Sequence, residues 1–358
     1  MIEPDTSTPI GSFLKVWLGY TTDETIRREA ASGGIVSSVF IHLLETQQID
    51  AALVCHSEMK DGRLGHRIFL ARTRDEVLSA QTSKYFDIPL LQGLRLIEAF
   101  PGRVAVAGLP SQINAISRRI ANNSDLAAKI AFKIAIFCGH NSQDELVKTI
   151  WRKKGIDESK IERFYFRKGL WRGKMHVEMK DGSLHQFPFQ DFSHYQNLHI
   201  LSLGRCLNCF DHMGYYADLS TGDVWMKSVK KLGVKPSIFL ARTQRGLDVV
   251  EEMLSGGKLK ADESDRATLY RSQMRSINYH YAISARARLA KRFGVNIKDR
   301  TGEKPRWRDI AAAWIVLTNH RISASPRALA WFMRLPKPII TAYAYLFKGL
   351  THYRRKIY

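Results

Sequence analysis

The chain has 358 residues, of which 45% are hydrophobic and 25% are charged, as in folded globular proteins with a substantial core. Only four cysteines are present, which excludes a disulfide scaffold in a chain of this length and favours a reducing compartment. The N-terminus carries Glu3 and Asp5 and reaches no long apolar run, so we predict no signal peptide and a cytoplasmic location.

The formal net charge of +21 is concentrated near the C-terminus, because residues 268–358 hold nineteen Lys or Arg against three acidic residues. A basic surface attracts the phosphates of nucleic acid or of anionic lipid. No nucleic-acid motif accompanies the charge, so we expect no specific nucleic acid partner. Aromatic residues interleave with Lys and Arg after Asp309, which is typical of contact with the inner face of a membrane. Packed helices with a solvated basic face are an equally good interpretation.

Short apolar runs and helical patterns alternate through the first 154 residues. The predicted strands lie at 13–18, 49–55, 67–72, 103–109 and 130–137. The predicted helices lie at 35–44, 75–78, 113–120 and 144–154. This alternation predicts an α/β fold with a parallel-type sheet as its core and a site at the carboxyl ends of the strands, where Cys138 follows the last of these runs.

The pattern changes after residue 154. Two strand-like runs at 174–179 and 184–187, joined by a Lys-Asp-Gly turn, predict a hairpin in a small added α+β domain. Basic, helix-like segments follow at 266–292, 307–317 and 326–347, and none contains the roughly twenty uninterrupted apolar residues that span a bilayer. We therefore predict two regions, residues 1–250 and a basic helical C-terminal extension at 251–358.

The stretch 204–225 (GRCLNCFDHMGYYADLSTGDVW) contains Cys206 and Cys209 in a Cys-x-x-Cys pair. Such a pair holds both sulfurs toward one point, as a soft metal or an iron–sulfur cluster requires. A redox dithiol or two ordinary loop cysteines is the alternative. His194 and His199 precede the pair in an order that no zinc finger uses. We interpret these two histidines, together with His176 and His185, as ordinary surface or half-buried residues.

Two segments have the composition of anion-binding elements. Ser32, Gly33 and Gly34 precede the helical run at 35–44, and glycines before a helix expose N–H groups that can hold a phosphate. A plain turn before a core helix explains the same pattern. Ser83, Lys84 and Tyr85 supply hydroxyls and an amine, either as contacts to an anionic ligand or as a solvated helix end.

Several short motifs occur in a characteristic order. They are Ser-Gly-Gly at 32–34, Ser-Lys-Tyr at 83–85, Gly-Leu-Pro-x-Gln at 108–112, Cys138 after a strand, Phe-Arg-x-Gly at 166–169, Cys-x-x-Cys at 206–209, Ala-Asp at 217–218 and Gly-Asp-x-Trp at 222–225. Over about residues 25–250 this order resembles the coenzyme F-420 hydrogenase and dehydrogenase beta-subunit family. The resemblance implies an α/β fold that binds FAD and an iron–sulfur cluster, with electrons passing between them and a reduced deazaflavin or another substrate.

The resemblance also implies a set of cluster ligands. The family's cluster cysteines match Cys138, Cys206 and Cys209, whereas Ser111 stands where the family has the cysteine of a Gly-x-Pro-Cys-Gln motif. A serine oxygen is a harder and rarer cluster ligand than a thiolate. Three outcomes stay open: a 4Fe-4S cluster completed by one further side chain, a 3Fe-4S cluster or open iron, or loss of the cluster. The side chains that would complete a 4Fe-4S cluster are Ser111, His140, Asp211 and His212.

By the same resemblance, the flavin would be held by three groups of residues. Ser32, Gly33 and Gly34 would meet its pyrophosphate, and the segment 83–85 would add charge-assisted contacts. The backbone of Pro110, Ser111 and Gln112 would reach the isoalloxazine edge. Asp223 and Trp225 would close the pocket.

We therefore expect a flavin and iron–sulfur oxidoreductase whose electron donor is a deazaflavin, a ferredoxin or a nicotinamide. Many members of the family are encoded near bacterial polysaccharide genes, so the resemblance favours cell-envelope polysaccharide or lipid-linked sugar metabolism. The C-terminal region would then lie on the membrane surface. The alternative is a non-redox scaffold or binding subunit that has kept the fold and lost the cluster.

Overall fold

An eight-stranded sheet and a separate three-stranded sheet form the framework of the protein. The structure is a computed structural model that describes residues 8–169, 173–226, 228–229 and 234–355. Glu3 and Asp5, on which the expectation about a signal peptide depends, lie outside the described residues, as do the last three residues of the basic C-terminal region.

Eleven strands are present in the described parts of the chain. They are β1 (Lys15–Thr21), β2 (Ala51–Lys60), β3 (Arg63–Ala71), β4 (Val104–Gly108), β5 (Ile130–Ile136), β6 (Ile161–Lys168), β7 (Lys174–Met179), β8 (Leu184–Pro188), β9 (Leu219–Asp223), β10 (Ser237–Ala241) and β11 (Leu259–Glu263). The large sheet has the order β11-β1-β10-β9-β5-β4-β2-β3, and the small antiparallel sheet has the order β6-β7-β8. The predicted hairpin is therefore confirmed as β7 and β8.

Fifteen α-helices connect and cover the strands in the same described parts. They are α1 (Glu24–Glu29), α2 (Ile35–Glu45), α3 (Arg74–Ser79), α4 (Leu94–Ala99), α5 (Pro110–Ala121), α6 (Ser124–Lys129), α7 (Glu145–Lys153), α8 (Gln190–Asn197), α9 (Gly204–Leu207), α10 (Gln244–Ser255), α11 (Arg266–Tyr281), α12 (Ile283–Ala290), α13 (Trp307–Ser323), α14 (Pro326–Arg334) and α15 (Lys337–Thr351). Within these ranges no helix combines the length and the apolar character that crossing a bilayer requires.

The central strands β2, β4, β5 and β9 run parallel to one another, and antiparallel strands flank this group on both sides. The first half of β2 and the strands β4 and β5 are mostly apolar runs because both faces of the sheet are covered there, whereas β9 reads LSTGD. On β2, Ala52 and Val54 face one apolar cluster, while Ala51 and Leu53 face the other. A parallel strand buried on both faces needs such a run. The predicted α/β fold with a parallel-type core is confirmed.

The carboxyl ends of the parallel strands meet along one edge of the large sheet. Gly108, at the end of β4, pairs with Ala135 near the end of β5. Asp223, at the end of β9, lies beside Ser237, where antiparallel β10 begins. This edge therefore carries the loops that follow β4, β5 and β9, and it is where the sequence pattern predicts a site.

The C-terminal helices pack against the small sheet. One apolar cluster contains Phe166 of β6, Phe192 of α8, Val316 of α13 and Phe347 of α15. Arg355 is buried and pairs with Asp309 at 2.6 Å, which fixes the end of the described chain against α13. The predicted division at residue 250 stays a prediction. Strand β11 lies beyond that point and pairs with β1 in the large sheet.

Candidate functional site

A cavity of about 920 Å³ lies at the carboxyl edge of the large sheet. Nine of the predicted site residues line it: Ser32, Gly34, Ser83, Lys84, Tyr85, Gln112, Cys138, Asp223 and Trp225. Five others do not contribute to its wall: Gly33, Pro110, Ser111, Cys206 and Cys209. The fold thus brings residues that are almost 200 positions apart in the sequence around one space.

The Ser-Gly-Gly segment joins β1 and β10 to the first turn of α2. The Gly33 N–H donates to Ser237 Oγ at 2.9 Å, and the Ser32 and Ser237 hydroxyl oxygens are 2.6 Å apart. A Cβ on Gly33 would lie 2.6 Å from the Gly19 carbonyl oxygen, so packing alone requires this glycine. Gly34 has a φ of 77°, caps α2, and supplies no side chain to its first N–H groups. These groups can bind an anion in the cavity.

Lys84 lies in a loop after α3, not at the end of a helix. Its ammonium donates to the Thr82 carbonyl oxygen at 3.0 Å and to that of Ala80. Burial lowers the pKa of Lys84. Thr82 has a φ of 90°, which is strained for a β-branched residue and requires support from the surrounding structure. The half-buried ammonium also donates to the Gln81 carbonyl oxygen at 3.4 Å, so its three N–H groups are used and its charge is what it can offer an anionic group in the cavity.

Gln112 lines the cavity, but its side-chain amide is already used by the fold. Its Oε1 accepts from the Leu109 N–H at 2.9 Å, and its Nε2 donates to the Ile88 carbonyl oxygen at 2.8 Å. Pro110 is buried in the first turn of α5, and Ser111 is exposed beside it. Gln112 therefore fixes two loops at the cavity.

Arg167 and Asp223 form a buried ion pair between the small sheet and the large one. Arg167 is 2% exposed and also donates to the Tyr85 hydroxyl at 3.2 Å. Its guanidinium lies over the Trp225 ring, 5.6 Å from the ring centre. Burial alone would lower the pKa of Arg167, but Asp223 and Tyr85 more than offset this effect and raise it. The pair thus fixes Tyr85 and Trp225 at the cavity wall.

The three predicted cluster cysteines lie close enough to affect one another's ionisation. Burial, followed by Cys206 and Cys209, raises the pKa of Cys138, and burial and Cys206 raise the pKa of Cys209 to about 12. The Asn141 N–H donates to Cys206 Sγ at 3.4 Å. Among the described residues, no three His, Cys, Asp or Glu side chains are arranged to hold a metal ion. The iron–sulfur cluster therefore stays a prediction.

Two buried side chains tie the cysteine loops together. His280 lies between the carbonyl oxygens of Gly139 and Cys209, at 2.7 and 3.1 Å. Arg286 is 1% exposed and donates to three carbonyl oxygens, those of Leu207, Tyr279 and Cys209. A buried cation that donates to carbonyls is costly beside neutral thiols, whereas an anionic thiolate cluster would compensate it. In this respect the chemistry of the loops fits an iron–sulfur cluster.

The four side chains considered for the fourth cluster position differ in their hydrogen bonds. The Asp211 carboxylate accepts from three N–H groups, and both His212 nitrogens face acceptors. Ser111 is exposed and lies outside the cavity wall. His140 lines the cavity, and its buried Nε2 has no hydrogen-bond partner in the described structure. Of these four side chains, His140 is the one with a buried nitrogen that lacks a hydrogen-bond partner, and a bond to iron would supply one.

The interpretation of His199 as a surface or half-buried residue is wrong. It is 3% exposed, has a φ of 60°, and lines the cavity together with His194. The C-terminal helices also contribute residues that the sequence did not point to, among them Arg275, Tyr279 and Lys348. No local pattern marks these residues, because α11 and α15 reach the cavity only through tertiary packing.

Two family models match most of the chain. One describes the N-term of the coenzyme F420 hydrogenase/dehydrogenase beta subunit and matches residues 16–95. The other describes the C terminus of the same protein and matches residues 102–267. The chain belongs to this family. The resemblance drawn from the ordered motifs is therefore confirmed, and membership of this family indicates a redox role.

Individual relatives differ in the activities for which they are named. The coenzyme F420 hydrogenase subunit beta of Methanococcus voltae is 27% identical over 261 residues, covering 72% of this chain and 87% of that protein. The 7-hydroxymethyl chlorophyll a reductase of Oryza sativa subsp. japonica is 26% identical over 229 residues, covering 62% of this chain and 46% of that protein.

A solved structure supports the fold. A chain of the xenon-derivatised F420-reducing [NiFe] hydrogenase complex from Methanosarcina barkeri matches with a TM-score of 0.62 and 21% identity. The match covers 84% of this chain and 99% of that chain. At this identity the similarity concerns the fold alone.

Proposed function

We propose that this chain is an oxidoreductase that binds FAD and an iron–sulfur cluster and passes electrons between a reduced carrier and a substrate. The observation that carries the proposal is the convergence of two kinds of element on one cavity. The start of α2 and Lys84 are the elements that can attract an anion, and Cys138 is a predicted cluster ligand. All of them line the cavity. Cys206 and Cys209 lie within electrostatic reach of Cys138.

The residues of the chain have separable roles in this proposal. FAD would supply hydride transfer, and the cluster would supply single-electron transfer. The first N–H groups of α2 would bind the anionic part of the flavin, and the charge of the Lys84 ammonium would attract it. The ion pair of Arg167 with Asp223 would orient Tyr85 and Trp225. His280 and Arg286 would hold the cysteine loops in position.

The electron carrier is proposed from the relatives. Several are named for coenzyme F420, which makes a reduced deazaflavin the first carrier to test, followed by a ferredoxin or a nicotinamide. Two relatives are named as hydrogenase subunits, so an electron-transferring protein partner is proposed as well. The place of the reaction in cell-envelope polysaccharide metabolism rests on the family resemblance and is part of the same proposal.

Contact of the C-terminal helices with an anionic membrane surface on the cytoplasmic side is proposed from their exposed side chains. Trp307 and Trp331 are 69% and 65% exposed. Ile339, Tyr345 and Leu346 of α15 are exposed as well. Aromatic rings beside Lys and Arg suit the headgroup region of a bilayer. This contact would bring the oxidoreductase to a substrate at the membrane surface.

The experiment that tests the proposal is the visible spectrum of protein purified without oxygen, with iron and flavin content, beside a Ser111→Cys variant. We expect flavin absorbance, broad iron–sulfur absorbance and about four irons per chain in the natural protein. About three irons, rising to about four in the variant, would show an open position at the cluster.

The opposite result has a definite meaning. Absence of both iron and flavin in the two proteins, after anaerobic purification with iron supplied, would overturn the redox proposal. It would support the scaffold alternative, in which Ser111 marks the loss of the cluster.

A further inference from the structure

The C-terminal helices form a section of the cavity wall that the two family models do not cover. The second model ends at residue 267, where α11 has just begun. Beyond that point the cavity is lined by residues of α11 from Arg271 to Tyr279 and by residues of α15 from Ala344 to Thr351. This section of the wall therefore lies outside the residues that the two family models match.

Two buried polar groups at this section of the wall have no hydrogen-bond partner in the described structure, one on α11 and one on the loop between α8 and α9, which the second family model covers. They are His199 Nδ1 and the Tyr279 hydroxyl. The two residues are 3% and 7% exposed, and their ring centres are 4.4 Å apart. Buried polar groups in native proteins are nearly always hydrogen-bonded, because leaving one unpaired costs free energy. A ligand hydroxyl, which both donates and accepts, would satisfy an imidazole and a phenol side by side.

The charges on this section are positive. Arg271, Arg275 and Lys348 line the cavity. Among the lining residues that the structure describes, the only carboxylate is Asp223, and Arg167 already pairs with it. The field on this side of the cavity therefore favours an anion.

We propose that His199, Arg275, Tyr279 and Lys348 form a binding site, here called the C-terminal pocket, for a small hydroxylated anion such as a sugar phosphate or a sugar acid. The cations bind the phosphate or carboxylate, and His199 and Tyr279 bind a hydroxyl of the same molecule. The assignment of this molecule as the substrate rests on the redox function proposed above, because it would share the cavity with the flavin.

The test measures binding directly on the full chain, purified without oxygen. Isothermal titration calorimetry is performed with glucose 1-phosphate, with glucuronic acid and with uncharged glucose. We expect one or both of the anions to bind and glucose to bind at least about tenfold more weakly, since it lacks the charge-assisted contacts. The stronger of the two anions then identifies phosphate or carboxylate as the preferred group.

Two variants are each compared with a matched control. Tyr279→Phe removes one hydroxyl and is expected to weaken the anion's binding about fivefold to tenfold. Its control is Tyr343→Phe on α15, whose hydroxyl donates to Asn319 Oδ1 at 3.1 Å and which does not line the cavity. Lys348→Gln is expected to weaken binding about tenfold, and its control is Arg327→Gln on the exposed side of α14. Both controls should bind as the natural chain does.

The outcomes separate this inference from the proposed function, because flavin and iron are measured in the same preparations. Flavin and iron without anion binding overturn the C-terminal pocket and leave the redox function in place. Anion binding that responds to Tyr279→Phe but occurs in protein free of flavin and iron supports the pocket and overturns the redox function. Equal binding of glucose and the anions, or equal weakening by the controls, also overturns the pocket.

Discussion

Arg167 donates to the Asp223 carboxylate from a position that is 2% exposed, and this contact joins the end of β6 to the end of β9. The two residues belong to two of the short motifs, Phe-Arg-x-Gly and Gly-Asp-x-Trp, which are more than fifty positions apart in the chain. The ion pair explains why the two motifs lie together in the folded chain. A buried guanidinium requires a carboxylate, and the two together hold the small sheet against the cavity.

Asp223→Asn is expected to lower the free energy of unfolding by about 3–5 kcal/mol, because it removes the carboxylate charge with which the buried Arg167 guanidinium pairs. The measurement is chemical denaturation followed by circular dichroism. Glu45→Gln is the matched control, since Glu45 pairs with Lys258 at 2.8 Å on the surface and should contribute less than about 1 kcal/mol. An equal loss of stability in the two variants would contradict this account of the buried pair.

His140→Ala is expected to reduce the iron content from about four to about three per chain and to give the electron paramagnetic resonance signal of a three-iron cluster. The reason is that the buried His140 Nε2 has no other partner in the described structure. Ser111→Ala is the control and should leave iron content and spectrum unchanged, because Ser111 is exposed. If Ser111→Ala lowers the iron content and His140→Ala does not, the fourth ligand is Ser111.

Lys235 is expected to make stability depend on pH in the alkaline range. Burial, with a smaller effect of Arg167, lowers its pKa from 10.5 to about 8. Between these two values the unfolded chain holds a proton on Lys235 that the folded chain lacks, so raising the pH increases the free energy of unfolding. Below about pH 8 both states are protonated and this contribution no longer changes.

The measurement for Lys235 is urea denaturation between pH 7 and pH 10.5, expressed as the difference between the natural chain and Lys235→Met. The difference should shift in favour of the natural chain above about pH 8. Lys258→Met, on the surface, is the control for the removal of a lysine side chain. A flat difference for Lys235→Met would mean that the buried ammonium keeps an ordinary pKa.

The exposed tryptophans of the C-terminal helices are expected to control membrane binding. Trp307→Ala and Trp331→Ala together should weaken binding to phosphatidylglycerol vesicles about tenfold or more in a sedimentation assay, because two interfacial aromatic anchors are lost. Leu14→Ala and Leu184→Ala, at exposed positions outside these helices, serve as the control. Binding that is unchanged in the tryptophan variant would leave the C-terminal helices as packed helices with a solvated basic face.

The sequence predicted the elements that rely on local patterns. The apolar runs at 49–55, 103–109 and 130–137 became β2, β4 and β5, since a strand covered on both faces needs side chains of this kind. It did not predict β10, α10 or β11, although the run 237–241 is almost entirely apolar. Strand β10 is short and pairs antiparallel with β1, which is far from it in sequence, so its role follows from its partners.

The site residues also fall into those that the sequence indicated and those that the tertiary structure brought to the cavity. The ordered motifs alone were enough to identify the family, because each depends on a few residues at fixed spacing, and they indicated Cys138 and the start of α2. The tertiary structure decided which residues share the cavity. It placed Ser111 on the surface, brought His199 into the interior, and added Tyr279 from a helix with no motif. Burial and hydrogen-bond partners depend on contacts between distant segments, and no local pattern encodes those contacts.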